Sequence, residues 1–338
     1  MKIATEYMKV HGLDYDLSGK DWKPIKDSRR AKTTTDGVKC YVKNYVMPQW
    51  GSHVADKIGK RALRDWLYTL RDDEELAGPT VSKIKSIICT IYNWAGFEGL
   101  VTTNPADGWK LEDVASNYTA VIVKPEQVKK IITLLPDPRH KMLVLVCAST
   151  AVRASEACGL KWGDINWDEN QIMIERRWTA ACLDKPKTKA SKAPVAMSPA
   201  LGWFLHQWRK VTQYGGDDDW IFPSHKMSGS IPMCAGIFVT DHLRPAAVTA
   251  GVKIADGQRF GLHSLRSSMA TWMVSIDKTD VKTAQGNMRH ANPEIMLSKY
   301  AQAVTDEMHD VQVRWFASCG LSVGQNLLAE NVLTVQVQ

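Results

Sequence analysis

The stretch HKMLVLVCASTAVRASEACGLKWGDI, residues 140–165, decides how the chain folds. Residues 140–150 are apolar over most of their length, which predicts a helix buried in a core rather than an amphipathic surface helix. The apolar run MLVLVCASTAV (142–152) is shorter than the roughly 18 residues that span a bilayer. Arg153 follows this helix directly and Glu156 lies three residues on. The pattern predicts a charged turn after a buried helix, where Arg153 is either an ordinary capping arginine or part of a site.

Beyond that stretch the pattern of apolar residues changes from helix to strand. QIMIERRW (171–178) and APVAMS (193–198) are rich in strand-type residues, and the connection DKPKTKASK (184–192) is basic and turn-forming. These segments predict an antiparallel hairpin with a positively charged tip. Helical patterns resume after residue 200, so the chain is predicted to be mainly α with a small antiparallel β-sheet, an α+β fold.

The first third of the chain has helical periodicity only. Three helices are predicted, in VKCYVKNYVMPQWG (38–51), KIGKRALRDWLYTLRDD (57–73) and TVSKIKSIICTIYNWAGFEGL (80–100). The first is expected to stop at Pro48 and Gly51, and the third to begin with Thr80 as its cap. Residues 31–112 are therefore predicted to form a small helical bundle with basic side chains on its outer faces.

These patterns divide the chain into five parts. The first segment is polar and charged, which indicates a flexible N-terminal arm, and the segment after the bundle loses the helical period and is interpreted as a linker. Pro125 then suits the first position of a helix. The predicted parts are an arm (1–30), a helical bundle (31–112), a linker (113–124), a second domain (125–320) and a C-terminal tail (321–338).

Composition limits the class of protein. The 338 residues carry a formal net charge of +7 with a pI near 8.9, which favours a polyanionic partner, although a basic enzyme of another kind would have the same balance. Seven scattered cysteines without C-x-x-C spacing indicate reduced thiols rather than disulfides or a zinc site. The N-terminus has no apolar signal segment. We therefore expect a cytoplasmic, nucleoid-associated protein without membrane attachment.

Six polar side chains stand out from helical surroundings and together suit one reaction. They are Arg153, Lys187, His263, Arg266, His290 and Tyr300. Cleaving a phosphodiester without a metal places extra negative charge on the non-bridging oxygens, which two arginines are suited to clamp. A lysine on a turn can protonate the departing sugar oxygen, and histidines can hydrogen-bond the phosphate or accept the proton of a tyrosine nucleophile. The sequence has no acidic cluster for magnesium, so we expect no metal or nucleotide cofactor.

Each of these residues alone has an ordinary explanation. Lys187 lies in a run of lysines between residues 185 and 192, and a solvated basic loop is its default interpretation. His263 and Arg266 are spaced by three, as in any amphipathic turn. A lone tyrosine such as Tyr300 is more often a packing residue. The prediction of a site therefore depends on the ordered combination.

The same order of motifs resembles the tyrosine recombinases, the family of phage integrases. R-x-x-E (Arg153, Glu156), a lysine hairpin, H-x-x-R (His263, Arg266) and H-x9-Y (His290, Tyr300) follow one another in the sequence. The resemblance covers about residues 30–315, and the first bundle is similar to the family's core-binding domain. It implies an N-terminal core-binding bundle followed by a tyrosine-recombinase catalytic domain.

The resemblance also implies a role for each residue. Arg153 and Arg266 would bind the scissile phosphate, and Tyr300 would form a 3′-phosphotyrosyl intermediate. Lys187 would be the general acid toward the 5′-hydroxyl leaving group, with Lys189 as the alternative.

Two histidines complete the implied site, and the motif around one of them departs from the family. His263 would assist proton transfer or phosphate binding, His290 would hydrogen-bond the phosphate, and Glu156 would support the fold around the first arginine. His290 follows Arg289, where the family usually has glycine, and IMLS (295–298) replaces the usual pair of threonines.

By this resemblance the expected partner is double-stranded DNA. The chain would be a site-specific recombinase that works as a homotetramer on two synapsed sites, with accessory DNA-bending proteins as further candidate partners. Arg61, Arg64, Lys83 and Lys85 would contact phosphates, or they are simply solvated helix faces. The tail 321–338 either docks on a neighbouring protomer or is disordered. Two other functions remain open: a DNA-binding relative that has lost the chemistry, and a type IB-like enzyme that relaxes supercoiled DNA.

Overall fold

The chain forms two compact units, within residues 1–118 and 119–338. The computed structural model describes residues 2–10, 32–112, 121–179, 182–184, 192–275, 277, 281–289 and 306–321. Among these residues no helix combines the length and apolar composition needed to cross a bilayer.

The first unit consists of helices around one apolar core. Helix α4 contributes Leu63, Leu67 and Leu70, whose spacing puts all three on one buried face, and α5 contributes Ile84 and Ile91. Its elements are α1 (Lys2–Val10), α2 (Lys32–Tyr41), a π-turn (Val42–Val46), α3 (Met47–Trp50), a 3₁₀ turn (Ala55–Lys57), α4 (Lys60–Asp72) and α5 (Gly78–Phe97).

Two predicted helix boundaries in this unit differ from the structure. The first helix does not stop at Pro48, because Val42–Val46 forms a π-turn and Met47–Trp50 continues the helix beyond it. Proline lacks the N–H of an α-helical hydrogen bond, and a π-turn shifts the bonding pattern so that Pro48 is accommodated. Helix α5 begins at Gly78, so Thr80 lies inside the helix and is not its cap.

The expectation of a flexible arm is wrong for residues 2–10. They form helix α1, which packs against α5 through buried Ile3, Ala4, Tyr7 and Met8. The polar composition of the segment concealed this spacing, which puts four apolar side chains on one helical face. The rest of the predicted arm, residues 11–31, lies outside the described residues.

The second unit is built around α7. Its elements are α6 (Pro125–Leu134), α7 (Pro138–Thr150), α8 (Ala154–Cys158), a 3₁₀ turn (Trp162–Asp164), β1 (Ile165–Asn166), β2 (Gln171–Ile172), β3 (Arg177–Thr179), β4 (Cys182–Asp184), β5 (Val195–Ala196), α9 (Pro199–Val211), a 3₁₀ turn (His225–Met227), α10 (Ala235–Phe238), a π-turn (Val239–Leu243), α11 (Arg244–Thr249), α12 (Leu262–Ser275), α13 (Val281–Met288) and α14 (Asp306–Ser318). Helices α6, α9 and α12 pack around α7. The predicted α+β fold is confirmed.

Helix α7 is the buried helix that its composition predicts. Every residue from His140 to Thr150 is buried, so the helix has no solvent face. The predicted start of α6 at Pro125 is also confirmed. Just before it, Val121 and Val123 are buried in the core of this unit, and the Val123 N–H donates to Ser268 Oγ at 2.7 Å. The end of the predicted linker therefore belongs to the second unit, and residues 113–120 lie outside the described residues.

The predicted hairpin is confirmed in its pairing and is shorter than expected. Strand β2 pairs antiparallel with β5, with Ile172 opposite Val195, and β1 pairs with the other edge of β2. The residues after β2 do not extend that strand, because β3 turns back on β4 in a second hairpin closed by an Arg177–Asp184 ion pair of 2.8 Å. The basic tip, residues 185–191, lies outside the described residues.

Helix α14 is fastened to this unit by apolar packing and by one buried amide. Val311, Trp315 and Phe316 are buried on its inner face. Between them, Gln312 Oε1 accepts the Ser198 N–H at 2.6 Å, and Gln312 Nε2 donates to the Ala196 carbonyl. One side chain thus joins α14 to the end of β5 and the start of α9.

Replacing this amide should loosen the fold without changing the size of the core. In Gln312→Leu the buried Ser198 N–H and Ala196 carbonyl would each lose a partner, so we expect the free energy of unfolding to fall by about 2 kcal/mol. Val313→Leu, on the exposed side of the same helix, is the matched control. Equal stability of the two variants in urea denaturation would contradict the anchoring role of Gln312.

Candidate active site

The candidate site begins where α7 ends. Ala151 closes the helix in the left-handed conformation, with φ 53°, which costs an L-residue roughly 1–2 kcal/mol. The chain then reverses, and Arg153 becomes the residue that precedes α8. The sharp turn places Arg153 at the edge of the core, with its side chain 36% exposed, although it follows a completely buried helix.

Arg153 is held by Glu156 through both its main chain and its side chain. Its backbone N–H donates to Glu156 Oε2 at 3.1 Å, and its Nη1 donates to Oε1 at 2.9 Å. The Glu156 side chain is only 4% exposed. The predicted supporting role of Glu156 is therefore visible in the geometry, because the carboxylate fixes both the turn and the guanidinium.

The same carboxylate also binds a second arginine. Arg289 Nη2 lies 2.5 Å from Glu156 Oε2, and both side chains are buried. Burial by itself would raise the pKa of Glu156, but the charges of Arg289 and then Arg153 lower it below its ordinary value. Glu156 is thus an ionised carboxylate shared by two guanidinium groups.

Arg266, from α12, joins the ends of two helices. Its Nη1 donates to the carbonyl of Ala151 at the end of α7, and its Nη2 donates to the carbonyl of Met288, the last residue of α13. Carbonyls at a helix C-terminus lack partners within the helix and carry partial negative charge, so a guanidinium is a favourable cap. Burial, with the charges of Arg153 and Arg289, lowers the pKa of Arg266 to about 10, which leaves it charged at neutral pH.

His263 lies one turn before Arg266 on α12, and its ring is accessible to solvent on one side and partly buried on the other. Its partial burial and the neighbouring charges of Arg266 and Arg153 lower its pKa below the ordinary value of a histidine. At neutral pH the ring is therefore uncharged, and a neutral imidazole is able to accept a proton or to share a hydrogen bond.

The structure thus brings together three of the six predicted residues. Arg266 caps the turn that carries Arg153, and both charges act on His263. The other three residues, Lys187, His290 and Tyr300, lie outside the described residues.

Arg289 is the residue of the cluster that the sequence does not identify. In the sequence it stands out only as a departure from the family's usual glycine, and no local pattern distinguishes a buried arginine from an exposed one. The signal was its position, next to His290 in a predicted site. Its partner Glu156 is 133 positions away in the sequence, so the ion pair becomes evident only in the folded chain.

The first unit carries an open basic groove between α4 and the loop that follows α5. Its lining residues are Lys60, Arg61, Arg64, Asp65, Tyr68, Arg71, Gly108, Trp109, Lys110 and Glu112. Arg61 and Arg64 are well exposed here, with 89% and 51% of their side chains accessible, and their ion pairs with Asp65 span 3.7 and 3.5 Å. Such exposed pairs are weak, so the groove keeps its positive character.

The two predicted lysine contacts differ from each other. Lys83 is exposed on α5. Lys85 instead has a structural role, because its Nζ donates to the carbonyls of Ala106 and Trp109 at 2.7 and 2.8 Å and lies 4.4 Å from the centre of the Trp109 ring. The expectation that Lys85 contacts phosphate is therefore corrected: its ammonium holds the loop that forms one wall of the groove.

Comparisons with known proteins agree with this architecture. Residues 122–307, more than half of the chain, match the phage integrase family. Tyrosine recombinase XerD from Neisseria meningitidis serogroup A is 25% identical over 210 residues, which cover 60% of this chain and 65% of that relative, so the chain spans less than two thirds of its length.

Two solved structures share the fold. The Tn1549 transposon integrase in complex with a circular intermediate DNA has a TM-score of 0.66 at 17% identity, covering 93% of this chain and 98% of that one. A lambda integrase tetramer bound to a Holliday junction has a TM-score of 0.59 at 17% identity, covering 90% and 78%.

Removal of the Glu156 carboxylate should destabilise the fold, because it leaves Arg289 as a buried and uncompensated charge. For Glu156→Ala we expect the free energy of unfolding to fall by about 3 kcal/mol or more. Because the pKa of Glu156 is lowered, its contribution is present above the unfolded-state pKa and is lost as the pH falls through the folded-state value. The penalty should therefore shrink in acid.

Urea denaturation at neutral and acidic pH measures both effects. Asp65→Ala is the control, since its ion pairs are exposed and should leave stability nearly unchanged. A neutral-pH loss no larger for Glu156→Ala than for the control would contradict the described network.

Proposed function

Because this chain belongs to the phage integrase family, we propose that it is a site-specific DNA recombinase that breaks and rejoins strands through a 3′-phosphotyrosyl intermediate. The observation that supports the proposal is the cluster at the end of α7, where Arg266 binds the Ala151 carbonyl two residues before Arg153 and lies one turn after His263 on α12. Tyr300 is the proposed nucleophile, twelve positions after the last residue of α13.

The arginines suit the charge that develops on the phosphate. Attack on phosphorus increases the negative charge of the non-bridging oxygens, and fixed guanidinium donors stabilise that charge without reorganising. Arg153 presents its partly exposed side chain from a turn that Glu156 fixes. Arg266 is buried and already bound to two carbonyls, so its contact with a phosphate requires the side chains that cover it to move.

The other predicted side chains would carry out the proton transfers of the reaction. The Tyr300 oxygen forms a bond to phosphorus, the bond from phosphorus to the 5′ oxygen breaks, and the tyrosine proton passes to a neutral base. His263 suits that role because its pKa is lowered. His290 would hydrogen-bond the phosphate, and Lys187, or Lys189 in its place, would give a proton to the departing 5′ oxygen.

The covalent link conserves the energy of the broken phosphodiester, so rejoining needs neither a nucleotide nor a metal. Recombination requires a 5′-hydroxyl from a second duplex to attack the phosphotyrosine, which calls for several protomers on paired sites. We propose a homotetramer, supported by the fold shared with a lambda integrase tetramer on a Holliday junction. Accessory DNA-bending proteins would assist that assembly, and the protein would act in the cytoplasm at the nucleoid.

The basic groove of the first unit is the proposed contact for duplex DNA. Arg61 and Arg64, which line the groove, would neutralise phosphates, and Lys83 would offer a further exposed charge on α5. The aromatic side chains of Tyr68 and Trp109 lie among these charges. The groove thus supplies affinity, while the cluster around Arg153 supplies the chemistry.

Covalent trapping tests the proposed reaction. On a nicked duplex carrying a candidate site, the 5′ end that would reseal the strand is lost, so the wild-type protein should accumulate as a protein–DNA adduct on a denaturing gel. Tyr300→Phe should give no adduct, because it lacks the phenol oxygen, and EDTA should have no effect. Arg153→Ala should lower the rate by about a hundred- to a thousandfold.

Trapping combined with assays of DNA binding, supercoil relaxation and exchange between two sites separates the alternatives. Binding without an adduct from the wild-type protein would favour a DNA-binding relative that has lost the chemistry. Adduct formation with relaxation of supercoiled DNA, but without exchange between two sites, would favour a type IB-like enzyme. An adduct that persists in Tyr300→Phe would refute Tyr300 as the nucleophile.

Salt dependence tests the groove. For wild-type protein the logarithm of affinity should fall linearly with the logarithm of salt concentration, and each phosphate contact contributes about 0.9 to the slope. Arg61→Ala and Arg64→Ala should each reduce the slope by about that amount. Asp65→Asn, in the same groove but of opposite sign, should raise affinity at low salt. Unchanged slopes in both arginine variants would show that this groove does not contact the DNA phosphates.

A further inference from the structure

Arg289 occupies a backbone position that suits glycine. Its φ is 47°, in the left-handed region that L-residues with side chains rarely adopt, and it lies directly after α13. The arginine is also buried, at 4% exposure, although a charged side chain is costly to bury. A residue that is unfavourable in both respects needs a compensating interaction, which is the 2.5 Å ion pair with Glu156.

The ion pair determines how the charge of Glu156 is shared. One carboxylate oxygen accepts from Arg153 Nη1, and the other accepts from Arg289 Nη2 and from the Arg153 backbone N–H. Without Arg289, Arg153 would be the one guanidinium among the described residues that is ion-paired with the buried carboxylate. That guanidinium is the partly exposed one, on which the proposed phosphate contact depends.

We propose that Arg289 is a positioning residue that neutralises Glu156 and thereby leaves the positive charge of Arg153 available to the scissile phosphate. The proposal rests on the proposed recombinase function. The two ion pairs of Glu156 would then have different roles. The pair with Arg289 neutralises the buried carboxylate, and the pair with Arg153 orients a guanidinium that is exposed to solvent.

The surroundings of Glu156 support this division. Among the described residues, Arg266 on α12 and the fully buried Cys147 thiol on α7 also interact electrostatically with it. Arg266 already binds the Ala151 and Met288 carbonyls. Among the described residues, Arg289 is therefore the guanidinium best placed to balance the carboxylate in place of Arg153.

Two substitutions at this position separate charge from backbone strain. Arg289→Gly removes the guanidinium but suits the left-handed φ, so any loss is not caused by strain. Arg289→Lys keeps a positive charge in the same strained backbone. The rate of adduct formation is measured in single turnover at saturating DNA, on a nicked substrate, at a temperature where urea denaturation shows each variant to be fully folded.

A second substrate gives a readout that a purely structural role would not change. A methylphosphonate at the scissile position replaces one charged oxygen with a methyl group, so less negative charge has to be stabilised. On the ordinary phosphodiester, Arg289→Gly should be slower than wild type by about ten- to a hundredfold, and Arg289→Lys by about threefold or less. On the methylphosphonate, Arg289→Gly should lie within about threefold of wild type, because the charge of Arg153 matters less there.

Each outcome decides a different question. An equal loss on both substrates would mean that Arg289 only supports the fold, and no loss on either would remove its role altogether. Both results overturn the inference while the wild-type adduct still supports the proposed function. Absence of an adduct from wild-type protein on the phosphodiester would overturn the proposed function itself, and the inference with it.

Discussion

A single buried guanidinium links the parts of the candidate site. Arg266 donates from its two terminal nitrogens to the carbonyls at the ends of α7 and α13, which approach it from different parts of the chain. Both carbonyls stand at left-handed turns: Ala151 adopts that conformation itself, and Met288 immediately precedes Arg289, which does. Two strained helix ends thus share one cationic cap, and the residues that follow them, Arg153 and Arg289, are thereby brought to the same carboxylate.

The charged side chains of this cluster differ in how deeply they are buried. Three guanidinium groups surround one carboxylate, which leaves an excess of positive charge, and burial differs sharply among them. Arg266 and Arg289 are buried and make contacts within the protein, whereas Arg153 stands at the surface. Mutual repulsion among cations in a poorly solvated space is unfavourable, and Glu156 with the helix-end carbonyls offsets it. Arg153 is therefore the guanidinium of the cluster that reaches the surface, and partial burial together with the charges of Arg266 and Arg153 lowers the pKa of His263.

The helices of the core were predictable from sequence because their signal is local. The apolar run from His140 to Thr150 could be stable only if buried, and the spacing of Leu63, Leu67 and Leu70 identifies one helical face. The second hairpin was not predictable, because its Arg177–Asp184 pair appears in the sequence as charges within a basic stretch.

The same limit applies to the site. Arg153, His263 and Arg266 were predicted from their chemistry and order, and the structure brings them together. That Arg266 would bind two helix ends, and that Glu156 would serve Arg289 as well as Arg153, depends on contacts between residues more than a hundred positions apart. Lys85 shows the converse. The resemblance and its basic side chain suggested a phosphate contact, whereas its partners lie in a loop that sequence periodicity does not define.

The Lys85 contacts have a consequence for the energetics of the basic groove. An ammonium bonded to two main-chain carbonyls and placed against an indole ring has already lost its rotational freedom during folding, and it has fixed the wall that carries Lys110. A polyanion reaching this surface meets a wall that is already rigid, so fewer degrees of freedom are lost on association. Lys85 would thus strengthen the binding of a polyanion without contacting it. Its positive charge is fixed beneath the groove, and its hydrogen bonds stabilise the loop that lines the groove.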